Sequence, residues 1–101
     1  MTSETKGYWL VTAAITDPEA FQNYTAVAGP LLGKAGAKVL ARGDVFEVVE
    51  GSSTGRPFVV EFPSFEAAKA CFESDEYQAA IALREGSAKF DIVIAQGFQP
   101  A

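Results

Sequence analysis

Between Arg56 and Gln78 the chain passes from a strand pattern into a helix pattern and then into a second helix start, with almost no residue to spare. Phe58–Phe62 is aromatic and β-branched, as strands are. Pro63-Ser64 stops it. Ser64 can cap a helix whose first turn carries Glu66. Phe65, Ala68 and Phe72 then recur at helical spacing, with Cys71 beside them. Ser74-Asp75-Glu76 reads as a fresh cap with acidic first-turn residues. Tyr77, Ala80, Ile81 and Arg84 share one face of the helix that follows, and Gly86 ends it. A strand followed at once by a helix in two pieces has little freedom: the helix must fold back over its own strand.

The rest of the chain supplies the partners. Tyr8–Ile15 reads as a first strand. Asp17 can cap a helix with Pro18 at its first position and Glu19 in its first turn. Phe21, Tyr24, Ala28, Leu31 and Ala35 form its apolar stripe. Pro30 predicts a kink or restart near Gly29, because it lacks an N–H and clashes one turn back. Gly36 suits the helix end. Lys38–Arg42 is a second strand, Gly43-Asp44 a turn, and Val45–Glu50 is expected to continue as a strand, extending a hairpin arm. Gly51–Gly55 is a flexible loop. Lys89–Gln96 is the last strand.

The order is β-α-β-β-α-β with the second helix in two pieces. Right-handed split βαβ units of this kind form an α+β, ferredoxin-like fold, with a four-stranded antiparallel sheet and helices on one face. At 101 residues the chain is one domain, expected over residues 8–97, with a flexible N-terminus at 1–7 and a tail at 98–101.

Helices cover only one sheet face, yet the strands are apolar on both. Phe58, Val60 and Phe62 alternate with Val59 and Glu61. Phe90, Ile92 and Ile94 alternate with Asp91, Val93 and Ala95. Tyr8, Leu10 and Ala14 alternate with Trp9, Val11, Ala13 and Ile15. A sheet face left to solvent should be polar, so this pattern predicts a homodimer joined through the open face by a twofold axis.

Composition narrows the function. The net charge of -5, with Lys and Arg scattered singly, argues against nucleic-acid and membrane-surface partners. Apolar runs are strand-sized, far short of the roughly 20 residues of a membrane span. Residues 1–7 lack an apolar signal region, so the expected location is cytoplasmic. The lone Cys71 excludes an internal disulfide. There is no histidine. That removes the commonest general base, the usual haem ligand and most zinc sites, so neither a metal nor a cofactor is expected. Gly51–Gly55 has no following Lys and opens no helix, so it is no phosphate loop.

The candidates for chemistry are few. Glu61 sits in an apolar strand on the face away from the helices, where a carboxylate either pairs or holds its proton more tightly. It is a candidate general base, or else the partner of Arg42. Arg42, before Gly43, could clamp a carboxylate-bearing ligand or bridge to Glu61, Glu47 or Asp91. Asp91 joins the site only if it converges with Glu61. Tyr77 could aim its hydroxyl into a pocket between helix and sheet. Trp9 and Tyr8 could line a cavity for an apolar ligand, or pack in core and interface. Cys71 reads as an inert core thiol, and Arg84 as a cap of helical carbonyls or a partner of Glu76 or Glu85.

Thr-Asp-Pro-Glu-Ala-Phe-Gln-Asn-Tyr (16–24), Ala-Arg-Gly-Asp (41–44), Val-Glu-Gly (49–51), Val-Val-Glu-Phe-Pro-Ser-Phe-Glu-Ala-Ala (59–68) and Ser-Asp-Glu-Tyr-Gln-Ala-Ala (74–80) together resemble the family called domain of unknown function 1330. The resemblance runs from Gly7 to Gly97. It departs from the family pattern at Asp44, where a second Gly is common, and at Cys71-Phe72, where Trp-Tyr is common. It implies membership of the dimeric α/β-barrel group, which includes cofactor-free monooxygenases, small isomerases, haem-dependent enzymes and ligand-sensing domains. Two functions are therefore expected. One is a cofactor-independent enzyme acting on a small apolar or carboxylate-bearing molecule. The other is a non-catalytic homodimeric module that binds a ligand or serves a structural role.

Overall fold

Two serines set the helical half of the molecule. Ser64 Oγ accepts from the Ala67 N–H at 3.0 Å, and Ser74 Oγ accepts from the Tyr77 N–H at 3.1 Å. Ser74 also donates to the Cys71 carbonyl at 2.8 Å, so one residue closes a helix and opens the next. The elements run β1 (Gly7–Ile15), α1 (Pro18–Lys34), β2 (Lys38–Ala41), β3 (Arg56–Phe62), α2 (Phe65–Glu73), α3 (Asp75–Ile81) and β4 (Ala88–Gln96), with a 3-10 turn at Ala82–Arg84. This computed structural model describes residues 5–53 and 55–99. Residues 1–4 of the expected N-terminal segment, Thr54 of the loop and residues 100–101 of the tail lie outside the described residues.

The sheet order is β2-β3-β1-β4, and every neighbouring pair is antiparallel. This is the α+β, ferredoxin-like arrangement implied by the order of elements. Register fixes the faces. Trp9 stands opposite Val60 and Ile94, and Val11 opposite Phe58 and Ile92. These side chains meet Phe21, Tyr24 and Ala28 of α1, Ala68 and Cys71 of α2, and Tyr77 and Ala80 of α3 in one core. Trp9 is its anchor. It is 2% exposed, its ring centroid lies 5.0 Å from that of Phe62 and 5.1 Å from that of Tyr77, and its Nε1 donates to the Ala68 carbonyl at 2.9 Å. A buried indole keeps its apolar body in the core only when its N–H finds an acceptor, and here α2 supplies one.

The other face is uncovered in the single chain. It carries Tyr8, Leu10, Val59, Glu61, Asp91, Val93 and Ala95, with Leu10 44% and Val93 59% exposed. Among the described residues, no helix is long and apolar enough to cross a membrane.

Two expectations need correction. Val45–Glu50 forms no strand; the chain between β2 and β3 is irregular, and Val45 and Val49 are 95% and 87% exposed. β2 is an edge strand whose register with β3 shifts between Val39 and Ala41. Gly43, at φ +68, then turns the chain away. The Arg56 guanidinium ties the Arg42 carbonyl (2.9 Å) and the Asp44 carboxylate (3.2 Å) back to the start of β3. Strand-prone residues with no neighbour have no ladder to complete. Second, α1 continues through Pro30 without a restart. Ala26, Gly29 and Pro30 are all exposed, so the carbonyl that Pro30 leaves unpaired faces water. The helix ends instead at Gly36, at φ +77, where the Ala37 N–H donates to the Leu32 carbonyl and the Gly36 N–H to that of Gly33.

Candidate functional site

A cavity of about 130 Å³ lies between α1 and the helix-side face of the sheet. Its sheet wall is Trp9, Val11, Phe58, Val60 and Phe90, and Tyr24, Thr25, Ala28 and Gly29 line it from α1. The space has a local cause: α1 presents the small, buried Ala28 where a larger side chain would pack against the strands. Tyr77 enters from α3. Its N–H is held by the Ser74 cap, which fixes the first turn of α3, and its ring is fully buried.

The polar feature of this apolar space is a pair of hydroxyls. Tyr24 Oη and Tyr77 Oη are 2.5 Å apart. The pair holds two protons and its single bond uses one. Among the described residues the second proton has no acceptor. Burial, and then the neighbouring Tyr77, push the Tyr24 hydroxyl well above its ordinary pKa, while the nearby Arg84 guanidinium opposes that shift. Tyr24 therefore stays protonated at neutral pH. The Arg84 guanidinium lies 4.0 Å from the Phe90 ring centroid and 5.2 Å from that of Tyr24, and its buried Nε makes no hydrogen bond. This end of the site has an excess of donors. It can hold a carbonyl, hydroxyl or carboxylate oxygen, or stabilise one that gains negative charge, and it contains no base.

The residues singled out from sequence divide between the two faces. Tyr77 and Trp9 line the cavity. Glu61 is on the open face, where Tyr8 Oη donates to its Oε2 at 3.1 Å. That bond, more than desolvation, raises the Tyr8 hydroxyl pKa. Glu61 thus pairs with Tyr8 rather than Arg42, and Tyr8 and Trp9 do not share a cavity, because adjacent residues of β1 point to opposite faces. Asp91, opposite Thr12 on β4, is exposed. It does not converge with Glu61, which pairs with Tyr8 on the far side of β1. Cys71 is buried, which raises its thiol pKa and keeps it unreactive.

Arg42 reaches a second cleft, of about 440 Å³, at the end of the sheet where α1 begins. Arg56, Gln22, Thr25, Phe21 and Phe58 line it too. Thr25 and Phe58 also line the first cavity, so the two spaces adjoin.

Sequence reasoning does not single out Tyr24 or Arg56, and it expects Arg84 to cap helical carbonyls or pair with Glu76 or Glu85, whereas the structure stacks it on Phe90 and Tyr24. Tyr24 reads as one more member of an apolar stripe. Its signal is chemical: a tyrosine on a fully buried stripe needs a partner for its hydroxyl. Among the described residues no group of three His, Cys, Asp or Glu side chains gathers as a metal site.

Solved structures share this architecture. RPA0582, a protein of unknown function from Rhodopseudomonas palustris, is 19% identical with a TM-score of 0.73, over 96% of this chain and 85% of that one. A dimeric protein of unknown function and ferredoxin-like fold from Bacteroides fragilis is 12% identical with a TM-score of 0.58, over 90% of this chain and 95% of its own. SnoaB, a cofactor-independent oxygenase from Streptomyces nogalater, is 8% identical with a TM-score of 0.62, over 95% of this chain and 96% of its own. At these identities the likeness is one of fold. A search of curated proteins finds no match. The model of the domain of unknown function DUF1330 matches residues 6–98, nearly the whole chain, and with the ferredoxin-like architecture around it this protein belongs to that family.

Proposed function

We propose that the protein is a homodimer joined through the open face of its sheet, and that each subunit binds a small, mainly apolar molecule with a hydrogen-bond acceptor on its apolar body. The observation that carries the binding reading is the donor without an acceptor: an apolar cavity of about 130 Å³ whose hydroxyl pair, Tyr24 and Tyr77, has one proton unmatched. A ligand oxygen satisfies that proton, and the aromatic and aliphatic walls take the rest of the molecule. An apolar cavity of roughly 150 Å³ holds benzene, so about 130 Å³ takes at most a single ring, with any substituent reaching into the adjoining cleft. The dimer is supported by the exposed Leu10 and Val93 on an apolar sheet face, and by the similarly folded Bacteroides fragilis protein described as dimeric.

A cofactor-independent enzyme is the second reading. The donor pair favours it, because two buried tyrosines can stabilise an oxygen that gains charge, and SnoaB is a cofactor-independent oxygenase on this fold. The binding module fits better, because Glu61, the carboxylate best suited to act as a base, lies across the sheet from the cavity, bonded to Tyr8.

Titration calorimetry with acetophenone and with ethylbenzene tests the binding reading. The two have similar apolar bodies, and only the ketone carries an acceptor. Acetophenone should bind several-fold more tightly, with the difference lost only when both hydroxyls are removed, in the Tyr24→Phe/Tyr77→Phe double variant. No binding of either compound sinks the proposal. Light scattering at micromolar concentration tests the assembly, and a monomer mass there removes the dimer.

A further inference from the structure

We infer that the molecule held in the helix-side cavity is an anion: beside the acceptor met by the tyrosine pair, its aryl or alkyl body carries a carboxylate that lies between Arg42 and Arg56. The inference rests on the cavity reading above and names the chemical class of its ligand. The chain carries only eight Lys and Arg against thirteen Asp and Glu, yet two arginines converge on one cleft. Arg42 makes no hydrogen bond or ion pair through its guanidinium among the described residues. Arg56 uses one Nη for both the Arg42 carbonyl and the Asp44 carboxylate, and its buried Nε has no acceptor. Asp44 offsets part of this charge. Its side chain is 67% exposed and among the described residues pairs only with Arg56, so the Arg42 charge is left unbalanced.

The shape of the cleft agrees. The Arg56 guanidinium lies 5.0 Å from the Phe58 ring centroid. Stacking of that kind holds the planar group against an apolar wall and leaves its edge for a planar oxyanion. Thr25 and Phe58 border both spaces, so a ligand with its apolar body beside Trp9 and Phe90 extends its head group past them into the cleft. A free guanidinium beside an apolar cavity matches a monocarboxylate with an apolar body, recognised by charge-assisted hydrogen bonds at one end and burial at the other.

Trp9 is the only tryptophan in the chain and lines the cavity, so its fluorescence reports occupancy. The probes are 4-phenylbutyrate and its neutral counterpart 4-phenylbutan-1-ol. The acid should bind about tenfold more tightly than the alcohol at low salt, and its advantage should shrink as salt rises. Arg42→Gln should bring the acid down to the affinity of the alcohol and leave the alcohol unchanged, and Arg42→Lys should restore part of the difference. Arg42 is exposed, so these variants should keep the fold. Equal affinities for acid and alcohol in the natural chain, or an equal loss of both in Arg42→Gln, overturn the inference and leave the cavity reading intact. Failure of both probes to perturb Trp9 overturns the two together.

Discussion

The hydroxyls of Tyr24 and Tyr77, 53 residues apart in sequence, meet at 2.5 Å where α1 faces α3. Removing one partner leaves the other buried without a mate. Tyr24→Phe and Tyr77→Phe should each destabilise the fold by about 1–3 kcal/mol, whereas the double variant should lose clearly less than the sum. Urea denaturation of the four proteins measures the coupling. Additive single losses contradict an energetic link between the two hydroxyls.

Burial and the neighbouring Tyr77 raise the Tyr24 hydroxyl above its ordinary pKa of 10.0. The folded state thus keeps a proton that the unfolded chain releases. This contribution to stability is complete below about pH 10 and falls as pH rises beyond it, by up to about 1.4 kcal/mol per pH unit. Wild type should therefore lose stability more steeply than Tyr24→Phe above pH 10. Denaturant melts in alkaline buffers compare the slopes, and equal slopes exclude Tyr24 as their source.

Leu10 and Val93 face each other in register on the open face and are 44% and 59% exposed. Charge placed there in a dimer is desolvated and unpaired, while in a monomer it stays in water. Leu10→Asp and Val93→Asp should keep the circular dichroism of the natural chain and sediment as monomers. A Leu10→Asp protein that remains dimeric moves the interface elsewhere.

Ser74 holds the Tyr77 N–H and donates to the Cys71 carbonyl. Ser74→Ala should cost about 1–2 kcal/mol. Ser74→Asp can restore the first bond and not the second, because a carboxylate has no proton to donate, so it should recover only part of the loss. Thermal melts of the three proteins order them, and Ser74→Ala matching the natural chain excludes the cap as a stabilising element.

Much of the fold is legible in local pattern. A period of two assigns Phe58, Val60 and Phe62 to one face and Val59 and Glu61 to the other, because side chains alternate on any strand. Asp17, Ser64 and Ser74 mark helix starts, because the donors they satisfy belong to the next turn of the same chain. The site is less legible. Glu61 stands out as a carboxylate among apolar residues, and nothing local tells that Tyr8 of the neighbouring strand is its mate. Arg84 reads as a cap of helical carbonyls or a partner of Glu76 or Glu85 until Phe90 and Tyr24 are brought beneath it. Val45–Glu50 has the composition of a strand, but a strand exists only where a neighbour completes its ladder, and here none does.

Residue order by itself determined the elements, their caps and the two faces of the sheet, since each depends on neighbours a few positions away. Tertiary structure alone decided which polar groups meet. Tyr24 with Tyr77, Arg42 with Arg56, and Glu61 with Tyr8 rather than Arg42 all depend on strand register and on the seating of α1 over β1 and β3. Periodicity gives a residue its face and is silent about which distant segment lies across from it.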